Sequence, residues 1–198
     1  VRTPAPPEAL VPVTLENLDG ARVPVPGEAV TVADAYRFER TAIVAEAWAN
    51  RSEGLPFDTP EEMLTLASII EKETGVAGER GMVASVFVNR LNEGMRLQTD
   101  PTVIYGITEG KGVLGRGLRQ SELRGATPYN TYVINGLPPT PIANPGAAAI
   151  QAAVAPEDTD FLFFVADGTG GHAFAETLAE HNANVAKWRQ IEAERSGN

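Results

Sequence analysis

The sequence predicts an α+β domain, and three observations carry that expectation. Long helical patterns dominate the first half, and short apolar runs set between glycine-rich loops follow them. The two kinds of segment do not alternate as a parallel βαβ architecture would require. At 198 residues and 43% hydrophobic, the chain has the material for one compact domain with its own core.

Residues 1–35 are proline-rich and weakly patterned. The pieces 10–15 and 21–25 are candidates for a hairpin across Asp19-Gly20, although composition fits a linker or docking strand as well. The folded domain is expected over 36–198. A helix rich in alanine and charge covers about 32–50 and ends at Gly54-Leu55-Pro56. A second starts at Asp58-Thr59-Pro60-Glu61-Glu62, with a capping side chain, proline in the first turn and acids at the positive end of the dipole, and stops at Gly75. A third is expected over 77–92, with Gly94 as its left-handed cap. Segment 95–105 reads as extended or as a short turn of helix, 106–117 as a glycine-rich loop, and 132–134 as a strand. After a Gly/Pro loop, an alanine-rich helix is expected over 147–154 and a buried strand over 161–166. A tight loop at 168–171 and a last helix over about 175–195 complete the domain.

Composition removes several function classes. With 16 basic against 26 acidic residues the net charge is -10, so nucleic acid is not expected as a partner. The absence of cysteine excludes disulfides, thiolate zinc sites and a thiol nucleophile. The histidines are His172 and His181, at a spacing unsuited to one helix face, so neither a metal nor a cofactor is expected. No apolar run reaches the ~18 residues of a membrane span, and the chain begins at Val1. It is therefore expected to be a trimmed or processed piece, with any membrane anchor upstream.

The most informative residue comes from helix phase. Met63, Leu66, Ala67 and Ile70 follow the i, i+3, i+4, i+7 pattern of a core-facing stripe. Seven residues past Leu66, about two turns on, the same line reaches Glu73, whereas Glu71 points to another side. A carboxyl aimed inward loses hydration, so its pKa should rise, and a protonated acid near neutral pH is what glycoside cleavage needs. Periodicity alone leaves other fates open: a helix-terminal glutamate that reaches solvent, or one that pairs with Arg80 or Arg90.

The words around Glu73 narrow this. EKET (71–74), RLQTDPT (96–102), TPYNTY (127–132), NGLPPTPIANPG (135–146) and LFFVADGTGGHAF (162–174) resemble, in order, the MltG/YceG-like family of endolytic murein transglycosylases. The likeness covers about 66–190 and extends to a final helix containing His181-Asn182. It implies a lysozyme-like helical catalytic core with a small β-sheet, so that 36–198 would be the catalytic domain. Residues 1–35 do not match the LysM-like domain that usually precedes that part in the family. The resemblance carries Glu73 onto the family's catalytic glutamate, and Tyr129-Asn130 onto a Tyr-Asn element lining the cleft. Gln98, Thr99 and Asp100 become expected cleft residues, with Tyr105 and Tyr132 offering flat faces and hydroxyls and Asn144 an amide for acetamido groups. His172 is a loop residue able to reach the cleft or to bond backbone. Asp100 reads equally as a turn acid before Pro101 or as a cleft residue, and opposite Glu73 it would make a hydrolase plausible.

The implied reaction uses one acid. It opens the β-1,4 bond between N-acetylmuramic acid and N-acetylglucosamine without water or metal, and leaves 1,6-anhydro ends. The implied partners are peptidoglycan strands and penicillin-binding synthases, and the implied place is the periplasmic face of the bacterial inner membrane. A lysozyme-type hydrolase and a non-catalytic wall-binding scaffold are the alternatives. Gly168-Thr169-Gly170-Gly171 lacks the Lys-Ser/Thr of a phosphate loop and reads as a tight turn. Arg96, Arg116 and Arg119 are candidates for stem-peptide carboxylates, although scattered surface arginines are ordinarily only solvated.

Overall fold

The computed structural model describes residues 32–196, with side chains from 41 to 195. The expected N-terminal hairpin lies outside the described residues. Helix α1, Val32–Ala49, belongs to one compact unit, and Asn50 onward forms the other. The boundary expected at 35/36 falls on the first turn of α1.

The second unit is built on helix α2, Pro60–Glu73. Its start follows from the sequence. The Thr59 hydroxyl accepts from Glu62 N at 3.2 Å, and the Glu62 carboxylate accepts from Thr59 N at 3.1 Å, so two orphan amides are closed by one box. The stripe predicted from helix phase is the core: Met63, Leu66, Ala67 and Ile70 are all fully buried. They pack against α6, Ala147–Val154, and α3, Arg80–Asn92. Small side chains on α6 (Ala149, Ala153) let its backbone approach α2. Ser68 extends the joint, accepting from Ile142 N at 2.9 Å.

Glu71 and Glu73 separate as the helix phase requires. The Glu71 carboxylate accepts from Gly146 N at 3.0 Å, capping the start of α6, while Glu73 ends α2 on another side.

Of the two forms expected for segment 95–105, the helical one is found: helix α4, Asp100–Thr108, begins inside it with Pro101 in its first turn and runs on to Thr108. One expected strand is corrected. Residues 132–134 are a turn: Asn130 O accepts from Val133 N and Ile134 N, both at 2.9 Å. A second strand was not foreseen. Strand β1, Phe163–Ala166, pairs antiparallel with β2, His172–Ala175, in the register Phe163–Ala175 to Ala166–His172. Their turn closes through Asp167 N donating to Gly171 O at 3.0 Å. A short helix α5, Gln120–Leu123, lies in the loop region, and α7, Leu178–Ser196, packs on the hairpin. The architecture is α+β, with a helical body and a two-stranded sheet. Among the described residues no helix is long and apolar enough to cross a membrane.

Candidate active site

Glu73 stands at the last residue of α2, where the helix gives way to an extended Thr74. The Thr99 hydroxyl donates to Glu73 Oε1. Neither Arg80 nor Arg90 pairs with it among the described residues. Part of its surface stays open to the cleft, yet protein atoms crowd it enough to matter. Burial raises its pKa above the ordinary carboxylate value, the Thr99 bond pulls it down, Asp100 pushes it up again and His172 lowers it; the net direction is up.

Thr99 occupies the N-cap position of α4 but makes no side-chain cap bond, because its hydroxyl is turned to Glu73. A buried threonine cluster holds it there. Thr131 Oγ1 accepts from Thr99 N at 3.0 Å, and Thr102 Oγ1 donates to Thr99 O at 2.8 Å. The Thr102 and Thr131 hydroxyls meet at 2.8 Å, and both residues are fully buried. The donor to the acid is thus fixed from below by two further side chains.

Beside Glu73 lies a cavity of about 430 Å³ whose lining includes Gln98, Asp100, Tyr132, Arg90, Phe164 and His181. Gln98 adopts φ +53°, a left-handed conformation uncommon for a side chain of its size, and its amide N donates to Thr131 O at 3.2 Å. Tyr132 Oη donates to Asp100 Oδ1 at 2.7 Å. Burial, then that bond, push the phenol far above its usual range, so it remains a donor.

Two of the lining residues not expected in the cleft are ionisable, Arg90 and His181. Arg90 is buried and donates to Leu162 O (2.6 Å), Leu97 O (3.0 Å) and Arg96 O (3.1 Å), with its guanidinium 5.1 Å from the Phe163 ring centre. It ties the 95–99 loop to the strand hairpin. Burial lowers its pKa, but an arginine stays charged. Its signal was available: Val83, Val86, Phe87 and Arg90 share one helical stripe, as Leu66 and Glu73 do. His181 stacks on Phe163 at 5.2 Å, and its buried Nδ1 meets no protein partner. Burial, then Arg90, lower its pKa, so it is neutral near pH 7.

A second cavity, about 290 Å³, also borders Glu73. It is lined by Gly168, Gly170, His172, Trp188 and Arg195 among others. His172 does reach the site and is held by Glu79, which accepts from His172 N at 2.9 Å and faces Nδ1 at 2.8 Å. Burial works to raise the Glu79 pKa, but the bonds from His172 outweigh it and leave it lowered.

The remaining expected residues stand elsewhere. Asn130 is fully buried; its Nδ2 donates to Glu122 O, Leu123 O and Gly125 O, and its Oδ1 accepts from Tyr132 N at 3.0 Å. It organises the loop behind Tyr132 and has no surface to offer a sugar. Tyr105 and Tyr129 pack on each other with ring centres 4.9 Å apart, and Tyr129 Oη bonds Thr140 at 2.7 Å. Neither lines the two cavities, nor does Asn144, which is exposed before α6. Of the three arginines named from sequence, Arg116 forms a two-pronged bridge to Glu122 and Arg96 donates to Tyr132 O.

Fold and site together define a class: an α+β domain with a part-buried carboxyl of raised pKa set between two cavities. Comparison with known proteins gives the family. The model of the YceG-like family matches residues 27–187, and the chain belongs to that family. It is 43% identical over 127 residues to the endolytic murein transglycosylase of Bacillus subtilis, covering 64% of this chain and 34% of that protein. It is 36% identical over 135 residues to the enzyme of that name from Streptococcus pneumoniae, covering 65% and 24%. A crystal structure of a yceG-like protein from Listeria monocytogenes superposes with a TM-score of 0.62 at 39% identity, covering 76% of this chain and 46% of that one. The chain therefore spans about a quarter to a third of the curated relatives it matches.

Proposed function

We propose that this chain is the catalytic part of an endolytic murein transglycosylase and that Glu73 is its acid and base. The observation that carries the reading is Glu73 itself: an inward carboxyl whose pKa burial raises, bonded to a fixed hydroxyl and flanked by cavities. The names of the relatives support the substrate class.

In this reading a glycan strand lies across Glu73. The acid gives its proton to the β-1,4 oxygen between N-acetylmuramic acid and N-acetylglucosamine as the bond from C1 to that oxygen breaks. The positive charge at C1 is met by the sugar's own acetamido oxygen. The Glu73 carboxylate then takes the proton from the C6 hydroxyl, whose oxygen closes on C1. A 1,6-anhydro ring forms and the acid is restored. No water is consumed, and the closing step gains from being intramolecular. Gln98 and Tyr132 offer hydrogen bonds beside the acid. The protein would act on the periplasmic face of the inner membrane, near the penicillin-binding synthases that extend the strands.

A lysozyme-type hydrolase has one observation in its favour: Asp100 borders the same cavity. Its oxygen, however, already accepts from Tyr132. Mass spectrometry of purified strands separates the readings. The chain should yield anhydro ends, and Glu73→Gln should lose about 10²–10⁴ of the rate. Reducing ends would establish the hydrolase, and cleavage undiminished in Glu73→Gln would remove the glutamate from the chemistry.

A further inference from the structure

Two cavities border Glu73, and they differ in charge and lining. The first presents Gln98, Asp100 and Tyr132, with the Arg90 charge held by three carbonyl oxygens. The second is lined by Trp188 and Arg195, both from α7, together with glycines of the 168–171 turn. No role in the proton transfer falls to these two residues.

The turn lies close on α7. Gly168 has φ +87°, a conformation that favours glycine, and a Cβ there would stand 2.9 Å from the end of the Ile191 side chain. Gly170, at φ +105°, has nothing within 4 Å of where a Cβ would stand. The Arg195 guanidinium donates to Gly168 O, which sets its charge at the rim. Trp188 is half-buried, with its remaining surface turned to the cavity. Arg195 adds a positive charge to a lining that also holds Glu73.

A flat aromatic face suits the apolar face of a sugar ring, and a guanidinium suits a carboxylate. The volume is at the small end of ligand sites, room for one substituted ring. Building on the transglycosylase reading, we propose that this cavity is the subsite for the peptide-bearing N-acetylmuramic residue. Trp188 stacks on its ring, and Arg195 binds a free carboxylate of its stem peptide. The cavity with Gln98 and Asp100 then takes the neighbouring N-acetylglucosamine.

The test uses the whole chain carrying Glu73→Gln, so that ligands stay intact, and follows the Trp188 indole N–H by NMR. The probes are the N-acetylglucosamine–N-acetylmuramic disaccharide with and without its stem peptide. Both should shift the Trp188 signal, and the peptide-bearing form should bind more tightly. Arg195→Gln, which keeps a donor for Gly168 O but loses the charge, should weaken the peptide-bearing form about five- to tenfold and leave the bare disaccharide unchanged. A Trp188 signal unmoved at saturation, no binding of either probe, or equal weakening for both would overturn the subsite. Product analysis of the unmutated chain is a separate readout. Binding at Trp188 without anhydro ends would sink the transglycosylase reading alone, and anhydro ends with Trp188 silent would sink the subsite alone.

Discussion

At the scale of single residues the site turns on one carboxyl whose environment favours the proton. That preference has a thermodynamic cost whose sign is fixed. Burial raises the Glu73 pKa above its ordinary 4.5, so between that value and the raised one the folded chain holds a proton that the unfolded chain has lost. Below 4.5 both states are protonated and the term vanishes. As pH rises through the raised pKa the folded state is progressively penalised. Glu73→Gln, neutral at every pH, should therefore melt above the parent at pH 7.5, and the difference should close below pH 4.5. Each 1 kcal/mol would appear as about 2–4 °C in Tm. Equal melting points at both pH values would mean that the carboxyl is not desolvated. Thr99 supplies the second test at this scale. Its bond favours the charged form, so Thr99→Val should raise the Glu73 pKa further and move the alkaline limb of the rate profile to higher pH, while Thr99→Ser should restore it. A profile that stays in place in Thr99→Val would show that the hydroxyl does not tune the acid.

Elements place these residues, and here the sequence was legible where signals are local. Helix phase and the Thr59–Glu62 cap set α2 and aim Glu73 and Glu71 apart. The same phase rule applied to α3 would have found Arg90. Other features depended on partners distant in sequence. The β-branched run after Pro101 left extended and helical forms open, and it is helical where α4 packs on α2. Residues 132–134 have strand-like side chains, but Asn130 captures their amides locally and a turn wins. β2 exists through its pairing with β1, which four residues of its own cannot announce. Trp188 and Arg195 border the second cavity because the 168–171 turn is brought against α7, a contact between segments that no local pattern announces. Asn130 was expected to line the cleft, and the structure buries it behind Tyr132. Its amide satisfies three carbonyls and the Tyr132 amide. Asn130→Ala should cost about 1–3 kcal/mol of stability, seen in denaturant melts. Binding of the bare disaccharide at low temperature, where the loop remains folded, should change less than it does in Gln98→Ala. The reverse order would return Asn130 to the sugar-binding surface.

At the scale of the whole molecule the arrangement bears on where along a strand cleavage falls. An enzyme that trims ends closes its cleft beyond one subsite, so that a chain terminus must seat there before the acid can act. Here Glu73 has open space on two sides, one bounded by α4 and the 95–99 loop, the other by the hairpin turn and α7. Nothing in either lining requires a free sugar terminus. Arg195, at one rim, faces what the proposed subsite treats as a peptide substituent, present on every second sugar of a strand and not only at its ends. Cleavage should therefore begin at interior bonds. Size-exclusion analysis of end-labelled strands should show an early spread of intermediate lengths, with labelled disaccharide accumulating only late. If labelled disaccharide rose first while the remaining strands kept their length, one side of Glu73 would have to close in the presence of substrate. The open turn at Gly168 and Gly170 would then be the segment that moves.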